Sequence, residues 1–281
     1  MVRIITDTTS GLSAEVANQY NIPVIPQVIN FGNDSYLEGI EMDNKIFMER
    51  LRGSSELPKT AAPPPDLFAR QFSHLVTGGE TILCIHPSAE VSGTVRSATV
   101  AAQDFPGADI RVIDTRTIGS PLATLVQLAA EWAADGINGD TIEMRLKEMI
   151  PNSVIYFLVS TLEYLAKGGR IGGAAALFGS VLQIKPLLIF TDGHVDQFEK
   201  ERTYRRALAR LKELVYTQAP RNSSAYLSVM HAAVPDLAIE LAAEICQEFK
   251  LPSIPILDVP PAIVTHGGPG ILAVAFFRSP S

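Results

Sequence analysis

The sequence predicts an α/β protein of two domains, and three observations carry that expectation. Short β-branched runs alternate with segments of helical period through the first half, as a parallel sheet with crossover helices requires. A Pro151-Asn152 break ends the last of those helical segments. It divides the chain into residues 1–151, an N-terminal mostly parallel sheet flanked by helices, and residues 152–281, a C-terminal mixed α/β sheet domain. In the second half, Asp192-Gly193 between two apolar runs marks a two-residue hairpin, which joins antiparallel strands.

Taken in order, residues 3–6 read as the first strand, 23–31 as the second, and 81–86 and 110–114 as two more. Helices are expected between them at 13–20, 44–52, 66–76 and 91–103. The pattern is clearest at 120–134, where Leu122, Leu125, Val126, Ala129, Trp132 and Ala133 follow the i, i+3, i+4 stripe and Gly136 offers a stop. At 141–150, Ile142, Leu146, Met149 and Ile150 share a face, and Pro151 closes the helix. Beyond the break come a strand at 154–159, a helix near 162–166 and a helix at 174–182 that is apolar on nearly every face. Such a helix is either simply buried or the wall of an apolar tunnel. The hairpin strands fall at 186–191 and 194–198, followed by a helix at 204–217, a strand at 225–231, a helix at 237–249 and strands at 254–258 and 271–277.

Composition excludes several classes. Of 281 residues, 47% are apolar and 19% charged, so long disorder is not expected. Lys plus Arg total 23 against 30 for Asp plus Glu, a net charge of −7, which disfavours wholesale binding of nucleic-acid phosphate but leaves room for a local basic patch. Cys84 and Cys246 lie in apolar surroundings without CxxC spacing, so neither a disulfide framework nor a metal site is expected. The segment MVRIITDTTS lacks a signal-peptide core, and no apolar stretch reaches the ~20 residues of a membrane span. A cytoplasmic protein is the expectation.

Four motifs suggest chemistry. Lys59-Thr60-Ala61-Ala62 precedes three prolines that hold the backbone extended before a helix, placing the Thr60 hydroxyl near a helix N-terminus; a plain capping loop would look the same. Ser92, Gly93 and Thr94 follow the strand at 81–86 and open a helix, the place where an open α/β sheet binds anions and also where an ordinary Ser/Thr cap sits. His266 stands among Gly267, Gly268, Pro269 and Gly270, which permit close approach, whereas His74, His86, His194 and His231 read as structural. Arg170 is bracketed by Gly168, Gly169, Gly172 and Gly173. Arg202 opens a basic run with Arg205, Arg206 and Arg210 that is a solvated helix face beside Glu201 and Glu213, or else a cationic patch. Asp7 ends the first strand without the further carboxylates that a metal site or phosphoryl acceptor needs, so a turn cap or pocket floor fits it better. Asp114 similarly reads as a turn cap.

KTAAPPP at 59–65, SAEVSGTVRSA at 88–98, LEYLAKGGRIGGAAALFGSVLQIKPLL at 162–188 and THGGPG at 265–270 together resemble the DegV family, in the same order from Asp7 to the last residues. These are bacterial fatty-acid-binding proteins that serve as carrier subunits of fatty acid kinase. The resemblance implies one bound long-chain fatty acid, such as palmitate, stearate or oleate, with the carboxylate on Thr60 and Ser92 and within the Ser92-Gly93-Thr94 turn. It implies that His266 and Gly267 complete the carboxylate and phosphate end, and that Arg170 and Arg202 lie on the face meeting the kinase. It further implies a separate catalytic kinase subunit, acyl phosphate passed to phospholipid synthesis, transient membrane contact, no cofactor and no catalytic residue in this chain. The family pattern usually reads Lys-Thr-Ser-Gln-Pro where this chain has Ala61 and Ala62, and threonine where it has Gly267.

The chain has no Gly-x-x-x-x-Gly-Lys-Ser/Thr nucleotide loop. A rival reading is a lipid esterase with Ser92 as nucleophile and His266 as base, against which stand the missing Gly-x-Ser-x-Gly elbow and the lack of an identifiable carboxylate for the histidine. A phosphotransfer module of related fold is a third, resting on fold analogy alone.

Overall fold

A computed structural model describes residues 1–178 and 184–279. In chain order its strands are β1 (Val2–Asp7), β2 (Val24–Ile25), β3 (Val28–Phe31), β4 (Asp34–Leu37), β5 (Lys59–Ala61), β6 (Thr81–His86), β7 (Ile110–Asp114), β8 (Ser153–Leu158), β9 (Lys185–Thr191), β10 (His194–Glu201), β11 (Ser228–His231), β12 (Ile256–Asp258) and β13 (Leu272–Phe277). The helices are α1 (Ala14–Gln19), α2 (Asn44–Gly53), α3 (Pro65–Leu75), α4 (Thr94–Ala102), α5 (Ser120–Ala134), α6 (Gly139–Met149), α7 (Glu163–Lys167), α8 (Tyr204–Gln218), α9 (Pro235–Phe249) and α10 (Pro261–Gly267).

The fold is α/β, with a parallel sheet and a separate mixed sheet. The parallel sheet runs β2-β1-β6-β7. Its two faces are covered by different helix pairs. Ile4, Leu83 and Ile85 pack with α5 and α6 residues such as Leu122, Leu125 and Ile142, while Ile5, Ile82 and Cys84 pack with Phe68, Phe72 and Ala98 of α3 and α4. The mixed sheet runs β10-β9-β8-β13-β11-β12, with only β11 and β12 parallel. Period-2 alternation sorts its side chains. Tyr156, Ile189, Leu272 and Val274 face α8 and α9, whereas Ile155, Phe157, Phe190 and Ala273 face Ile29, Phe31, Phe47 and Leu51 of the first half. A three-stranded antiparallel sheet, β4-β3-β5, supplies that second layer.

The hairpin forms as its turn chemistry demands. Asp192 and Gly193 have φ of 49° and 88°, the paired left-handed residues of a type I′ turn. The turn docks on the parallel-sheet half, where the buried Ser88 hydroxyl donates to Gly193 O at 2.7 Å and Arg116 donates to Asp192 O.

Several sequence expectations are corrected. The single strand at 23–31 is two strands in two sheets, because Pro26 cannot donate to a ladder and lets the chain leave the parallel sheet at Ile25. The helix expected from 91 starts at Thr94, after the Ser92-Gly93 turn. The 174–182 helix is instead a 3₁₀ turn over Gly172–Leu177 that ends at an extended Phe178; the remainder of that expectation lies outside the described residues. Its two leading glycines are fixed by close approach to β10, since a Cβ on Gly172 would lie 2.0 Å from Val195 O and one on Gly173 2.0 Å from Asp196 Oδ1.

Candidate functional site

Between the inner face of the mixed sheet and the opposing layer lies a cavity of about 120 Å³, well above the ~10–15 Å³ that one water needs. Its walls are mostly apolar, with Ile155, Phe157, Phe190, Met230, Ile271 and Ala273 from the mixed-sheet half. The polar side chains that reach it are few: Thr9, Gln27, Thr60, Ser92, Arg170 and His266.

Three structural elements converge to bring these groups together. Thr60 sits on β5, opposite Ile29 of β3. His266 occupies the last turn of α10, a helix whose start at Pro260-Pro261 uses the tolerance of a first turn for proline. The Thr60 hydroxyl and His266 Nε2 are 2.7 Å apart. The other ring nitrogen, Nδ1, is packed against Gly168, where a Cβ would come within 2.4 Å, and makes no well-formed hydrogen bond. Burial, reinforced by the neighbouring Arg170 charge and only partly opposed by the Gly168 backbone, holds the imidazole at about 4, so it is neutral at pH 7.

Ser92 lies in the turn between β6 and α4, with its Oγ 2.8 Å from Thr94 Oγ1 and 3.3 Å from Thr94 N. Gly93 opens α4, and a Cβ there would meet Ala62 Cβ at 3.2 Å, so the Lys59–Ala62 segment and the Ser92 turn press directly together. Arg170 ties the Ser92 turn to the Gly168 turn, donating from Nε to Val91 O at 3.2 Å and from Nη1 to Gly168 O at 2.6 Å. It lines the cavity rather than standing on an outer face alone.

Gly267 also lines the cavity, and Ile271 Cδ1 occupies the space a side chain there would need, 2.5 Å from an added Cβ. A threonine at this position would therefore require a different arrangement of residue 271. Thr94 is fully buried and reaches the site only through Ser92 and Gln27; Gly93 does not line the cavity either. Arg202 is exposed at the entrance to α8, away from the cavity lining. Of the anticipated wall helix, Ala174 and Leu177 are buried in the shared core but not at the cavity surface.

Gln27 and Thr9 were not singled out in the sequence. The available signal was an amide, Gln27, inside the otherwise apolar stretch 23–29, where a strand reading assigns it no task. In the structure Gln27 is buried and ties Asp7 to Thr94. Asp7 caps the turn after β1, accepting from Thr9 N at 3.0 Å and from the Thr9 hydroxyl at 2.6 Å, and it contacts His86 Nδ1 at 2.8 Å. His86 is only half satisfied, since its buried Nε2 has no partner among the described residues.

The geometry does not assemble an esterase. Ser92 Oγ is bonded to Thr94 and His266 Nε2 to Thr60, and among the described residues no carboxylate orients His266. Among the described residues no group of three or more His, Cys, Asp or Glu could hold a metal ion, and no helix is long and apolar enough to cross a membrane. What the cluster can do is bind an anionic or acceptor head group beside an apolar tail.

Known proteins share this organisation. A model of the DegV family, described as uncharacterised protein, matches residues 1–279. A DegV domain-containing protein of Halalkalibacterium halodurans is 34% identical over 277 residues, 98% of each chain. Among solved structures, a protein described as the fatty-acid-binding DegV of Bacillus subtilis superposes with a TM-score of 0.88 at 29% identity, and a fatty acid binding DegV family protein of Streptococcus agalactiae with 0.90 at 26%, each over 99% of both chains.

Proposed function

Because the chain belongs to the DegV family, we propose that it binds one long-chain fatty acid, carboxylate toward Thr60, Ser92 and His266, alkyl chain in the apolar cavity. The observation that carries this reading is a cavity walled by aliphatic and aromatic side chains whose few polar groups include the hydrogen-bonded pair Thr60–His266, with Ser92 and Arg170 on the same lining. Two similar proteins described as fatty-acid binders support it. Buried methylenes at ~0.8 kcal/mol each supply most of the affinity, while the hydroxyls set orientation and reject tails lacking an acceptor head. Arg170, held beside His266 and Val91, adds positive charge near the carboxylate.

Denaturing extraction and mass spectrometry of the purified protein test this directly. About one C16–C18 acid per chain is expected. A protein that carries no acyl chain and, after delipidation, takes up neither palmitate nor oleate does not have this function. Ser92→Ala and Thr60→Val should each weaken palmitate binding by ~1.5–3 kcal/mol, the range for a hydrogen bond to a charged group. If instead the wild type hydrolyses p-nitrophenyl esters and Ser92→Ala does not, the esterase reading replaces this one.

We further propose that the loaded protein presents its carboxylate to a separate ATP-dependent fatty acid kinase in the cytoplasm and passes acyl phosphate on to phospholipid synthesis, with transient membrane contact during exchange. In this reading the chain itself is not the catalyst. Arg202, exposed at the start of α8, is assigned to the kinase contact, and Arg170 to both the pocket mouth and that contact. Reversing the outer charge with Arg202→Glu should leave lipid loading intact and slow kinase-dependent turnover in a salt-sensitive way, because rim charges act chiefly on encounter. An emptied pocket, or turnover at the wild-type level, would remove Arg202 from this role. The division into domains 1–151 and 152–281 belongs to the same proposal; it is supported by the parallel sheet lying wholly before residue 151 and the mixed sheet wholly after 152.

A further inference from the structure

A serine hydroxyl can donate or accept, so the presence of Ser92 at the cavity does not by itself decide which head group it favours. The hydrogen bonds behind it do. Asp7 is fully buried and gathers donors: Thr9 N, the Thr9 hydroxyl and Gln27 Nε2 on Oδ1, and His86 Nδ1 beside Oδ2. The Gln27 amide must therefore turn its NH₂ toward Asp7 at 3.0 Å, because the opposite orientation would set oxygen against oxygen. The second N–H of the same nitrogen reaches Thr94 Oγ1 at 2.8 Å. Thr94 is fully buried, so its own proton goes to the one hydroxyl within reach, Ser92 Oγ at 2.8 Å; any other arrangement leaves that proton unpaired at a cost. Ser92 Oγ also accepts from Thr94 N at 3.3 Å. Both Ser92 lone pairs are then engaged, and only its O–H is left to face the cavity.

We infer that the line Asp7–Gln27–Thr94 fixes Ser92 as an obligate donor, making Gln27 and Thr94 positioning residues that select an acceptor head group, the ionised carboxylate, over a head group that must itself donate. The inference rests on the fatty-acid reading above and adds to it two residues that act through Ser92: Gln27, at the cavity lining, and Thr94, behind it. It also gives Thr94, absent from the cavity surface, a reason to be a threonine rather than any small residue.

The test compares palmitate with 1-hexadecanol, equal in chain length and different in proton demand. Thr94→Val keeps the shape of the side chain and removes the relay, so Ser92 regains a free lone pair and can accept from the alcohol. The palmitate-to-hexadecanol affinity ratio should fall about tenfold in Thr94→Val and in Gln27→Met, and return toward the wild-type value in Thr94→Ser. Bound [1-¹³C]palmitate should titrate at higher pH in the two relay-broken variants, because an ionised carboxylate has lost an oriented donor. A merely structural role would weaken both ligands together and leave the ratio and the titration unchanged, which would overturn the inference. A wild-type protein that binds neither probe fails one step earlier, at the fatty-acid reading, and removes the inference with it.

Discussion

Replacing Ala273 with phenylalanine is expected to lower palmitate affinity by at least a hundredfold while leaving the protein folded. Ala273 lies on β13, opposite Phe157 of β8 and Met230 of β11, and is 2% exposed with its side chain at the cavity surface. A cavity of this order accepts a benzene-sized group, so the ring fills space that is already open instead of forcing the sheet apart. Excluding about four methylenes at ~0.8 kcal/mol each accounts for the lost affinity. The next residue gives the control. Leu272 is fully buried and points to the other face of the same strand, toward α8 and α9. Leu272→Ala should cost roughly 2–5 kcal/mol of stability and, in the fraction that folds, leave the affinity near wild type. Titration calorimetry with palmitate and urea melts on both variants separate the two effects. An Ala273→Phe protein that loads lipid normally would place the acyl chain elsewhere.

What could be read from the sequence follows from where the physics is local. Asp192-Gly193 specified its hairpin because both residues tolerate positive φ, and α5 was legible to the residue because its stripe and its stop are written within one helix. β5 was not legible. Its three residues alternate too briefly to signal a strand, and its existence depends on pairing with β3 far upstream. α10 was hidden for a different reason: two prolines and a glycine read as breakers, yet the prolines sit at the first turn and Gly267 at the last, where neither interrupts the ladder. The misread helix at 174–182 shows the converse error, since composition favoured a helix where Gly172 and Gly173 are held instead by contact with β10. At the site, Thr60, Ser92, Arg170 and His266 were visible as motifs, and the structure brings them to one cavity. Gln27 was invisible because its task is set by Asp7 and Thr94, which only the fold makes its neighbours.

Ligand-free protein should show a nearly flat stability profile between pH 4.5 and 7, with two single substitutions tilting it in opposite directions. His266 and Glu38 lie toward opposite ends of the seven-residue helix α10: His266 is in its last turn, and buried Glu38 accepts from Ala262 N at 2.8 Å and from the Thr8 hydroxyl. Burial first, and Arg170 second, hold His266 at about 4 against an ordinary 6.5. The unfolded chain therefore takes up this proton before the folded one does, so the histidine's contribution is present above pH 6.5 and lost as pH falls toward 4. Glu38 runs the other way. Burial, helped by the Asp7 charge and resisted by the Thr8 and Ala262 donors, pushes it up to about 7 from an ordinary 4.5. Its contribution is present below pH 4.5 and lost as pH rises through 7, because in that window only the folded protein holds the proton. Each effect is on the order of 3 kcal/mol across its window, so in the wild type they largely cancel. Glu38→Gln leaves the histidine unopposed and should lose stability on acidification from pH 7 to 4.5; His266→Gln leaves the glutamate and should gain it. The surface carboxylates Asp109, Glu143 and Glu199 are held below their ordinary values by arginine and lysine partners, so their protonation matters only at the acid edge of this range. Urea midpoints at constant m across the range decide the matter. If the two variants keep parallel profiles, burial at the ends of α10 does not shift these two groups.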